Sequence, residues 1–440
     1  MSEESSLEKP TPPDGPERTA SHEESALEAA DQGPRVRILI SAVLVQLALG
    51  SVYAWSVFNK PLQTQFGWTK PQTVLPFETA IGCIVIGALL GGRAQDRHGP
   101  RPVALIGGFL YAAGIMLASC VHRADQLWLL TLGYGVIGGT GLGAVYITPI
   151  AMLAKWFPER RGLVTGLAVG GFGFGSVLAA PLARSLLANA GNKPSVFLPL
   201  GLAYLVLITL GALSFRNPSS NKGGAGPKGG PQAPQLGQRE LTLSQALRTP
   251  AWYQLTAILL LNVTAGIGLI SQASDAAQEL GQLGPSAAAA LVGIFGLFNG
   301  AGRVFYAGLS DRLGRMSVCS WLLFSQAVAL ALLPLAHGAV LFFILAALVY
   351  TSYGGGFGVM PAASADFFGT KHAGSIYGAM IVAWSLGGVV GPLLAAALYE
   401  VSGSYRVPFW SLAALALVSS LLPRWTRRPQ LPPQPAETKV

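Results

Sequence analysis

The stretch GGRAQDRHGPR, residues 91–101, recurs in shortened form as AGLSDRLGR, residues 307–315. Each copy contains a glycine, then an Asp-Arg pair, a second glycine and a closing arginine, and Asp96 and Asp311 are 215 positions apart. A pattern that recurs at such a distance indicates a duplicated unit. We therefore predict two halves of the same architecture, with the two stretches at equivalent places.

A second, weaker repeat supports the duplication. TPIAMLAKWFPERRG, residues 148–162, resembles MPAASADFFGTKHAG, residues 360–374. The closing glycines, Gly162 and Gly374, are 212 positions apart, close to the offset of the first repeat. A nearly constant offset along the chain is expected when a whole unit has been duplicated.

The composition is that of a membrane protein. Of the 440 residues, 51% are hydrophobic and 11% are charged, whereas soluble domains carry about 25% charged residues. Twelve apolar runs are each long enough to cross a hydrocarbon core of about 30 Å. The runs lie near residues 37–58, 73–94, 102–121, 126–153, 162–188, 195–215, 250–273, 287–309, 316–335, 338–363, 373–397 and 405–423. We therefore predict an all-α membrane protein with twelve transmembrane helices in two six-helix bundles.

The predicted bundles are separated by a segment that cannot bury a core. Residues 1–35 are rich in Ser, Glu and Pro, which predicts a disordered cytoplasmic tail. The N-terminal bundle spans 36–216, a Gly/Pro-rich cytoplasmic linker spans 217–249, and the C-terminal bundle spans 250–424. Residues 425–440 form a second cytoplasmic tail. Such six-helix repeats suit a carrier that moves one half against the other around a central site.

The positive charges are distributed unevenly between alternate loops. With the N-terminus inside, fourteen basic residues face the cytoplasm: Arg93, Arg97, Arg101, Lys155, Arg160, Arg161, Arg216, Lys222, Lys228, Arg239, Arg248, Arg312, Arg315 and Lys371. Five face outward: Lys60, Lys70, Arg123, Lys193 and Arg406. By the positive-inside rule, both termini are predicted to be cytoplasmic. The net charge of +9 therefore reflects topology and does not indicate a nucleic-acid partner.

The sequence lacks the patterns of a metal, nucleotide or catalytic site. The cysteines Cys83, Cys120 and Cys319 are scattered and have no ligand spacing. GYGVIGG at 133–139 contains G-x-G-x-x-G, but it lies inside an apolar run and not between a strand and a soluble helix. We expect that the protein binds no cofactor and is not an enzyme. The expected partners are a small carboxylate substrate, protons and the lipid bilayer, and the protein is expected to be a monomer. We expect a bacterial inner (plasma) membrane location, because no sorting signal or long outer loop is visible.

Arg303 stands inside the apolar run 287–309, where a charged side chain costs ~2.5–3.5 kcal/mol even on insertion scales. It lies eight residues before Asp311, or about 12 Å along a helix, which is near mid-membrane. Asn299 is one turn away on the same face. A guanidinium matches a carboxylate as a planar fork and stays charged at physiological pH. We predict an anion site; the alternative is a structural pair with a buried acid, although few acids are available.

Aromatic residues with polar tips recur at the depth of a central cavity. Tyr53, Tyr146, Tyr353 and Trp384 lie in the first, fourth, tenth and eleventh runs. Tyr146 and Tyr353 stand in strings of small residues, GAVYITP and YTSYGGGFG. Each aromatic residue alone is also compatible with packing or with an interfacial belt. All four are included among the candidate substrate contacts.

The first repeat resembles the loop signature of the major facilitator superfamily, and the resemblance extends from about residue 36 to 425. It implies the major facilitator fold and a pathway lined by the first, fourth, seventh and tenth helices, which favours Tyr146 and Tyr353 as contacts. The acidic and basic residues of the signature can pair with helix ends, so the resemblance implies a latch that closes the inner face. The predicted latch residues are Asp96, Arg97, Arg101, Asp311, Arg312 and Arg315.

Three longer strings resemble the oxalate:formate antiporter family, which is related to the monocarboxylate carriers. They are LALGSVYAWSVFNKPL at 47–62, FNGAGRVFYAGLSDRLGR at 298–315 and IYGAMIVAWSLGGVVGP at 376–392. The resemblance implies transport of a small carboxylate, with Arg303 matching the arginine of the family's eighth helix.

Two departures from these families narrow the prediction. Oxalate exchangers have a lysine in the eleventh helix where this chain has Trp384, so Arg303 is the single fixed cation of the predicted site. A single cation suits a monoanion, because a dicarboxylate would leave one charge unpaired. Animal monocarboxylate carriers have an aspartate, linked to proton coupling, where this chain has Asn299, as bacterial lactate-carrying relatives do. No proton relay is identified; the substrate carboxyl itself, Asp366 and His372 remain candidates.

The predicted function is secondary active transport of a small monocarboxylate, such as lactate, pyruvate or formate, by rocker-switch alternating access coupled to protons. The alternative is an oxalate:formate-type anion exchanger. A drug or sugar carrier of the same fold is a further alternative, but the embedded acids and amides of such carriers are not visible in the sequence.

Overall fold

The computed structural model describes residues 16–191, 193–218 and 240–429, without the side chains of 16–32 and of positions 70, 285, 286, 289 and 292. All regular secondary structure in these residues is helical, as the composition predicts. Eleven segments of the described chain have the length and hydropathy to cross a membrane. The remaining predicted span, 287–309, lies within the 29-residue helix Pro285–Leu313. The prediction of an all-helical membrane protein is confirmed.

The N-terminal half has eight α-helices in the described part of the chain. They are α1 Pro16–Gly50, α2 Ser56–Phe66, α3 Lys70–His98, α4 Pro100–Ala118, α5 Leu127–Leu130, α6 Gly139–Trp156, α7 Arg161–Asn189 and α8 Phe197–Ala212. A 3₁₀ turn, Ser51–Ala54, separates α1 from α2, and a π-helical segment, Thr131–Gly138, separates α5 from α6. Short 3₁₀ turns, Ala124–Gln126 and Pro194–Val196, precede α5 and α8.

The C-terminal half adds nine α-helices over residues 240–429. They are α9 Leu243–Ala246, α10 Pro250–Glu279, α11 Pro285–Leu313, α12 Arg315–Leu332, α13 Ala339–Phe368, α14 Ala373–Met380, α15 Val382–Ser402, α16 Arg406–Ser419 and α17 Leu422–Trp425. A 3₁₀ turn, Leu333–Leu335, follows α12. The predicted eleventh span is therefore two helices, α14 and α15, with Ile381 between them.

The two repeated stretches form the same tight turn. Gly99 lies between α3 and α4 with φ 84°, and Gly314 lies between α11 and α12 with φ 88°. Positive φ favours glycine, because a Cβ would clash with the backbone. We call the end of the molecule that carries these two turns the motif face.

Glycines allow helices of opposite halves to approach closely. A Cβ on Gly173 of α7 would lie 2.6 Å from Cα of Gly300 on α11, and a Cβ on Gly166 would lie 2.8 Å from the carbonyl oxygen of Arg303. A Cβ on Gly92 of α3 would likewise collide with the carbonyl oxygen of Gly374 on α14. Inside a membrane the hydrophobic effect does not drive helices together, so they associate through close packing, which small residues at the contact allow. The two halves therefore meet along α7–α11 and α3–α14.

The predicted domain limits lie only partly within the described residues. α1 begins at Pro16, inside the predicted tail 1–35, and residues 1–15, 219–239 and 430–440 lie outside the described chain. The end of the predicted linker packs on the C-terminal half, since the amide of buried Leu241 donates to the carbonyl oxygen of Phe368 at 2.9 Å. The last residues of the predicted linker, from about 240, therefore pack against the C-terminal half.

Candidate functional site

Arg303 lies in the middle of α11 and is completely buried. Its Nε donates to Oδ1 of Asn299 at 3.2 Å, and its Nη1 donates to the carbonyl oxygen of Val169 on α7 at 3.3 Å. Its Nη2 has no hydrogen-bond partner among the described residues. Two neutral acceptors therefore orient the guanidinium and leave one edge available to a further acceptor.

Two phenylalanine rings from opposite halves face the guanidinium. Cζ of Arg303 lies 4.9 Å from the ring centroid of Phe357 on α13 and 5.4 Å from that of Phe172 on α7. A cation over an aromatic face is attracted by the quadrupole of the ring. This attraction stabilises the buried cation but does not neutralise its charge.

All four predicted aromatic contacts pack onto these two rings. Trp384 lies with its ring centroid 5.1 Å from Phe357 and 5.7 Å from Phe172. By the same measure Tyr146 and Tyr53 lie 5.2 Å and 5.4 Å from Phe172, and Tyr353 lies 5.4 Å from Phe357. The structure thus brings residues of the first, fourth, fifth, tenth and eleventh predicted spans into one aromatic cluster around Arg303.

The polar tips in this cluster are buried with unmet hydrogen-bonding capacity. Arg303 interacts electrostatically with four tyrosine hydroxyls, those of Tyr53, Tyr146, Tyr353 and Tyr377, and the first two lie within hydrogen-bonding reach of it. None of these hydroxyls, nor Nε1 of Trp384, makes a hydrogen bond of good geometry among the described residues. An unmet buried donor costs about 1–3 kcal/mol, so such groups are normally paired. The cluster therefore carries the hydrogen-bond donors that an anion requires.

No acidic side chain of the described residues forms an ion pair with Arg303. Asp366, an acid that the sequence offers for pairing or proton transfer, instead binds Arg161 at 3.0 Å and Arg315 at 2.9 Å. The described part of the chain also has no cluster of three or more His, Cys, Asp and Glu residues that could hold a metal ion. The alternative of a structural arginine–acid pair at Arg303 is therefore wrong for the described residues.

The two repeated aspartates bind helix N-termini of the opposite half. Asp96 on α3 accepts from the amides of Gly374 and Ser375 in the first turn of α14, at 3.3 and 2.8 Å. Asp311 on α11 accepts from the amides of Gly162 and Leu163 in the first turn of α7, at 2.9 and 2.7 Å. A carboxylate at a helix N-terminus meets unpaired amides and the positive end of the helix dipole.

An ion-pair network strengthens the motif face on the Asp311 side. Arg315 contacts Asp311 at 2.6 Å and also Asp366, which binds Arg161 of the N-terminal half. The exposed residues Arg97, Arg101 and Arg312 have no hydrogen bond or ion pair to other described residues. Of the six predicted latch residues, Asp96 and Asp311 thus bind the opposite half directly. Arg315 supports them from within the C-terminal half, the other three lie outside these contacts, and Arg161 crosses to Asp366 instead.

The sequence analysis did not select Phe172, Phe357 and Tyr377, although one signal was available for Phe172. Phe172 lies 212 positions before Trp384, the same offset as between the closing glycines of the second repeat. A search for duplicated positions would have paired the two rings. Arg303 has no such mate, since the residue 215 positions earlier is Ala88. The charge of the site therefore comes from one half alone.

Two matched helical bundles with a buried cationic centre between them are the arrangement of a membrane transporter. Residues 38–281 and 263–440 match the Major Facilitator Superfamily. The chain belongs to the major facilitator superfamily.

Its relatives include transporters of both families that the sequence resembles. The chain is 30% identical to the uncharacterized transporter YhjX of Escherichia coli K12, over 81% of this chain and 87% of the relative. It is 29% identical to the oxalate:formate antiporter of Oxalobacter formigenes, over 90% and 93%. It is 30% identical to monocarboxylate transporter 13 of Rattus norvegicus, over 76% and 75%.

A solved transporter structure shows the same fold. The structure of FucP, described as a major facilitator transporter in the outward conformation, superposes with a TM-score of 0.68 at 16% identity. The match covers 89% of this chain and 99% of that one. The fold prediction, the two-bundle major facilitator arrangement, is confirmed.

Proposed function

We propose that this protein is a secondary active transporter of a small monocarboxylate, such as lactate, pyruvate or formate, that binds its substrate at Arg303. The observation that carries the proposal is the buried guanidinium with one unpartnered nitrogen and no acid beside it. Burying a charge without a partner is costly. A carboxylate bound at Nη2 would supply both the missing acceptor and the missing negative charge.

The single cation supports a monoanion over a dianion. Trp384, which stands where oxalate exchangers have a lysine, presents an indole N–H and a ring to the site and brings no charge. The indole nitrogen can only donate a hydrogen bond. One carboxylate would therefore be neutralised by Arg303 and solvated by Asn299, Trp384 and the tyrosine hydroxyls, and a second carboxylate would stay unpaired.

The clamps at the motif face support alternating access by a rocker-switch. In this structure Asp96 and Asp311 hold the halves together at that face. Rocking of the halves would release the clamps and open the site to that side. The positive-inside distribution supports a cytoplasmic motif face with both termini inside, as we propose for an inner-membrane carrier.

We further propose that uptake is coupled to protons, with anion exchange as the second candidate. The relation to an oxalate:formate antiporter favours exchange, and the relation to a monocarboxylate transporter favours net transport. Because Asp366 is held between two arginines and Asn299 replaces an acid beside Arg303, the substrate carboxyl itself is the best candidate to carry the proton.

The test is an uptake panel in proteoliposomes. Labelled lactate, pyruvate, formate, acetate and oxalate are offered with and without an inward proton gradient, and with and without internal substrate. Monocarboxylate uptake that rises with the proton gradient in empty vesicles supports coupled transport. Uptake that requires internal anion supports exchange, and failure of every monocarboxylate to enter would contradict the proposal.

A further inference from the structure

Helix α14 connects the candidate anion site with the motif face. Its first turn carries Gly374 and Ser375, whose amides donate to Asp96. Two residues later, Tyr377 is buried with its hydroxyl near Tyr146 and within the electrostatic reach of Arg303. One helix of eight residues therefore touches both the clamp and the site.

α14 joins the rest of its span through a local 3₁₀ turn. The amide of Trp384 donates to the carbonyl oxygen of Ile381 at 2.9 Å, while the amides of Ile381 and Ser385 keep helical bonds to the carbonyl oxygens of Tyr377 and Ile381 at 3.2 and 3.3 Å. Gly378 places α14 directly against the carbonyl oxygen of Ala88 on α3, with no side chain in between. A 3₁₀ turn inside a helix is a common hinge, so α14 can move relative to α15 about Ile381.

Tyr377 and Tyr146 face each other from opposite halves of the molecule. Both hydroxyls are buried and lie within hydrogen-bonding reach of each other, but neither makes a hydrogen bond of good geometry among the described residues. An anion at Nη2 of Arg303 would supply acceptors to them. For that anion to leave toward the motif face, the ring of Tyr377 must separate from α6, and α14 must move with it.

We propose that Tyr377 closes the site on the side of the motif face and transmits substrate occupancy to the clamp between Asp96 and Ser375. This inference rests on the proposed function. An anion on Arg303 accepts a hydrogen bond from Tyr377, shifts α14 and weakens the bonds that Asp96 makes to its first turn. Without the hydroxyl, the anion still binds Arg303 but the clamp stays closed.

The test compares Tyr377→Phe with Tyr350→Phe. Tyr350 is a matched control, because it is also buried with an unpartnered hydroxyl but does not interact with Arg303. We expect Tyr377→Phe to weaken equilibrium binding of labelled lactate, pyruvate or formate by no more than about threefold while counterflow slows at least about tenfold. Tyr350→Phe should leave both within about twofold. Equal losses of binding and counterflow would make Tyr377 an ordinary substrate contact and overturn the proposal.

A distance measurement at the motif face tests the transmission step. Spin labels at positions 97 and 312, which are exposed on opposite halves, are placed in a background without the three native cysteines. Substrate should lengthen the label distance in the parent protein and not in Tyr377→Phe. Adding Ser375→Ala, which removes the hydrogen bond that the Ser375 hydroxyl donates to Oδ2 of Asp96, should restore part of the counterflow; no restoration contradicts the proposal.

Measurements on the ligand-free protein distinguish a failure of the proposed function from a failure of the proposed link between Tyr377 and the clamp. If no monocarboxylate binds the parent protein, the proposed function fails. The link between Tyr377 and the clamp still predicts a shorter mean label distance in ligand-free Tyr377→Phe than in the parent, because removing an unpartnered buried hydroxyl stabilises the closed form. Identical ligand-free distances would overturn the link itself.

Discussion

At the scale of single residues, the central feature is a cation stabilised by neutral groups. Arg303 is bound by an amide oxygen, a backbone carbonyl and two phenylalanine faces, and by no acid of the described chain. These contacts fix its orientation and keep its positive charge. A buried charge without a counter-ion attracts one from outside, which is the physical basis of the proposed anion site.

The sequence predicted Arg303 and Asn299 because a charge in an apolar run is conspicuous, and it predicted the tyrosines and Trp384 from their polar tips. It did not predict Phe172 and Phe357, because a phenylalanine in an apolar helix has no distinguishing chemistry until another residue comes near. It also did not predict that Arg161, and not Arg97, Arg101 or Arg312, joins the contacts between the halves. Which arginine meets an acid depends on the packing of the two halves, and a single sequence does not give that packing.

Trp384→Lys tests the assignment of charge selectivity to this position. A lysine beside Arg303 supplies a second cation, so the ratio of oxalate to lactate transport should rise at least about tenfold, equivalent to about 1.4 kcal/mol. Counterflow of the two labelled anions measures the ratio. Trp384→Phe is the control, because it removes the indole N–H without adding charge, and it should not favour oxalate. An unchanged ratio of oxalate to lactate transport in Trp384→Lys would show that Trp384 does not determine the charge selectivity.

At the scale of helices, glycine contacts set the distance between the halves. α7 can lie against α11 only because positions 166, 170 and 173 lack side chains. The four-residue spacing of Gly166 and Gly170 is typical of a close helix contact, but the spacing does not indicate that the partner is the helix of Arg303.

Gly166→Val should disturb this contact, since a Cβ there meets Ala307 and the backbone of Arg303. We expect a loss of about 1–3 kcal/mol of stability from overpacking and a longer distance between labels at positions 97 and 312. Thermal unfolding in detergent and the label distance provide the measurements. Gly82→Val is the control, because no heavy atom lies within 4 Å of its Cβ position. Equal effects of the two substitutions would contradict the account of this contact.

Asp311→Asn should loosen the motif face. The charged carboxylate holds the first turn of α7 and an arginine, Arg315, and carboxylates at helix N-termini contribute about 0.3–2 kcal/mol. The population with a long label distance should therefore rise several-fold in the ligand-free protein. Asp125→Asn is the matched control, since Asp125 pairs only with exposed Arg123 in the described chain. A motif face that stays equally closed in Asp311→Asn would show that the clamp does not hold the halves together.

At the scale of the whole molecule, duplication explains the two-bundle architecture. The candidate site depends on Arg303, which has no counterpart in the N-terminal half. The sequence predicted the helical spans and the equivalence of the two motif turns, because hydropathy and a constant offset are properties of the chain itself. It did not predict the irregularities inside the spans: the 3₁₀ turn that contains Tyr53, the π-helical segment before α6 and the local turn at Ile381. These depend on how neighbouring helices meet the freed backbone groups.

The orientation of the whole molecule gives a further prediction. Both termini should be cytoplasmic, because basic residues concentrate in the loops of the motif face. A fluorescent protein that folds only in the cytoplasm should therefore fluoresce when fused after residue 440, and alkaline phosphatase fused there should be inactive. The opposite pattern would reverse the assignment of the motif face to the inside.

The most direct test of the central claim is counterflow of labelled lactate, pyruvate and formate by Arg303→Lys in proteoliposomes, with Arg424→Lys as the control. Arg424 is exposed at the end of the chain's last described helix, so its substitution should leave transport unchanged. Lysine keeps the charge of Arg303 but loses the planar fork, and counterflow should fall at least about tenfold, or about 1.4 kcal/mol. Counterflow at the parental rate in Arg303→Lys would contradict the assignment of Arg303 as the carboxylate-binding residue.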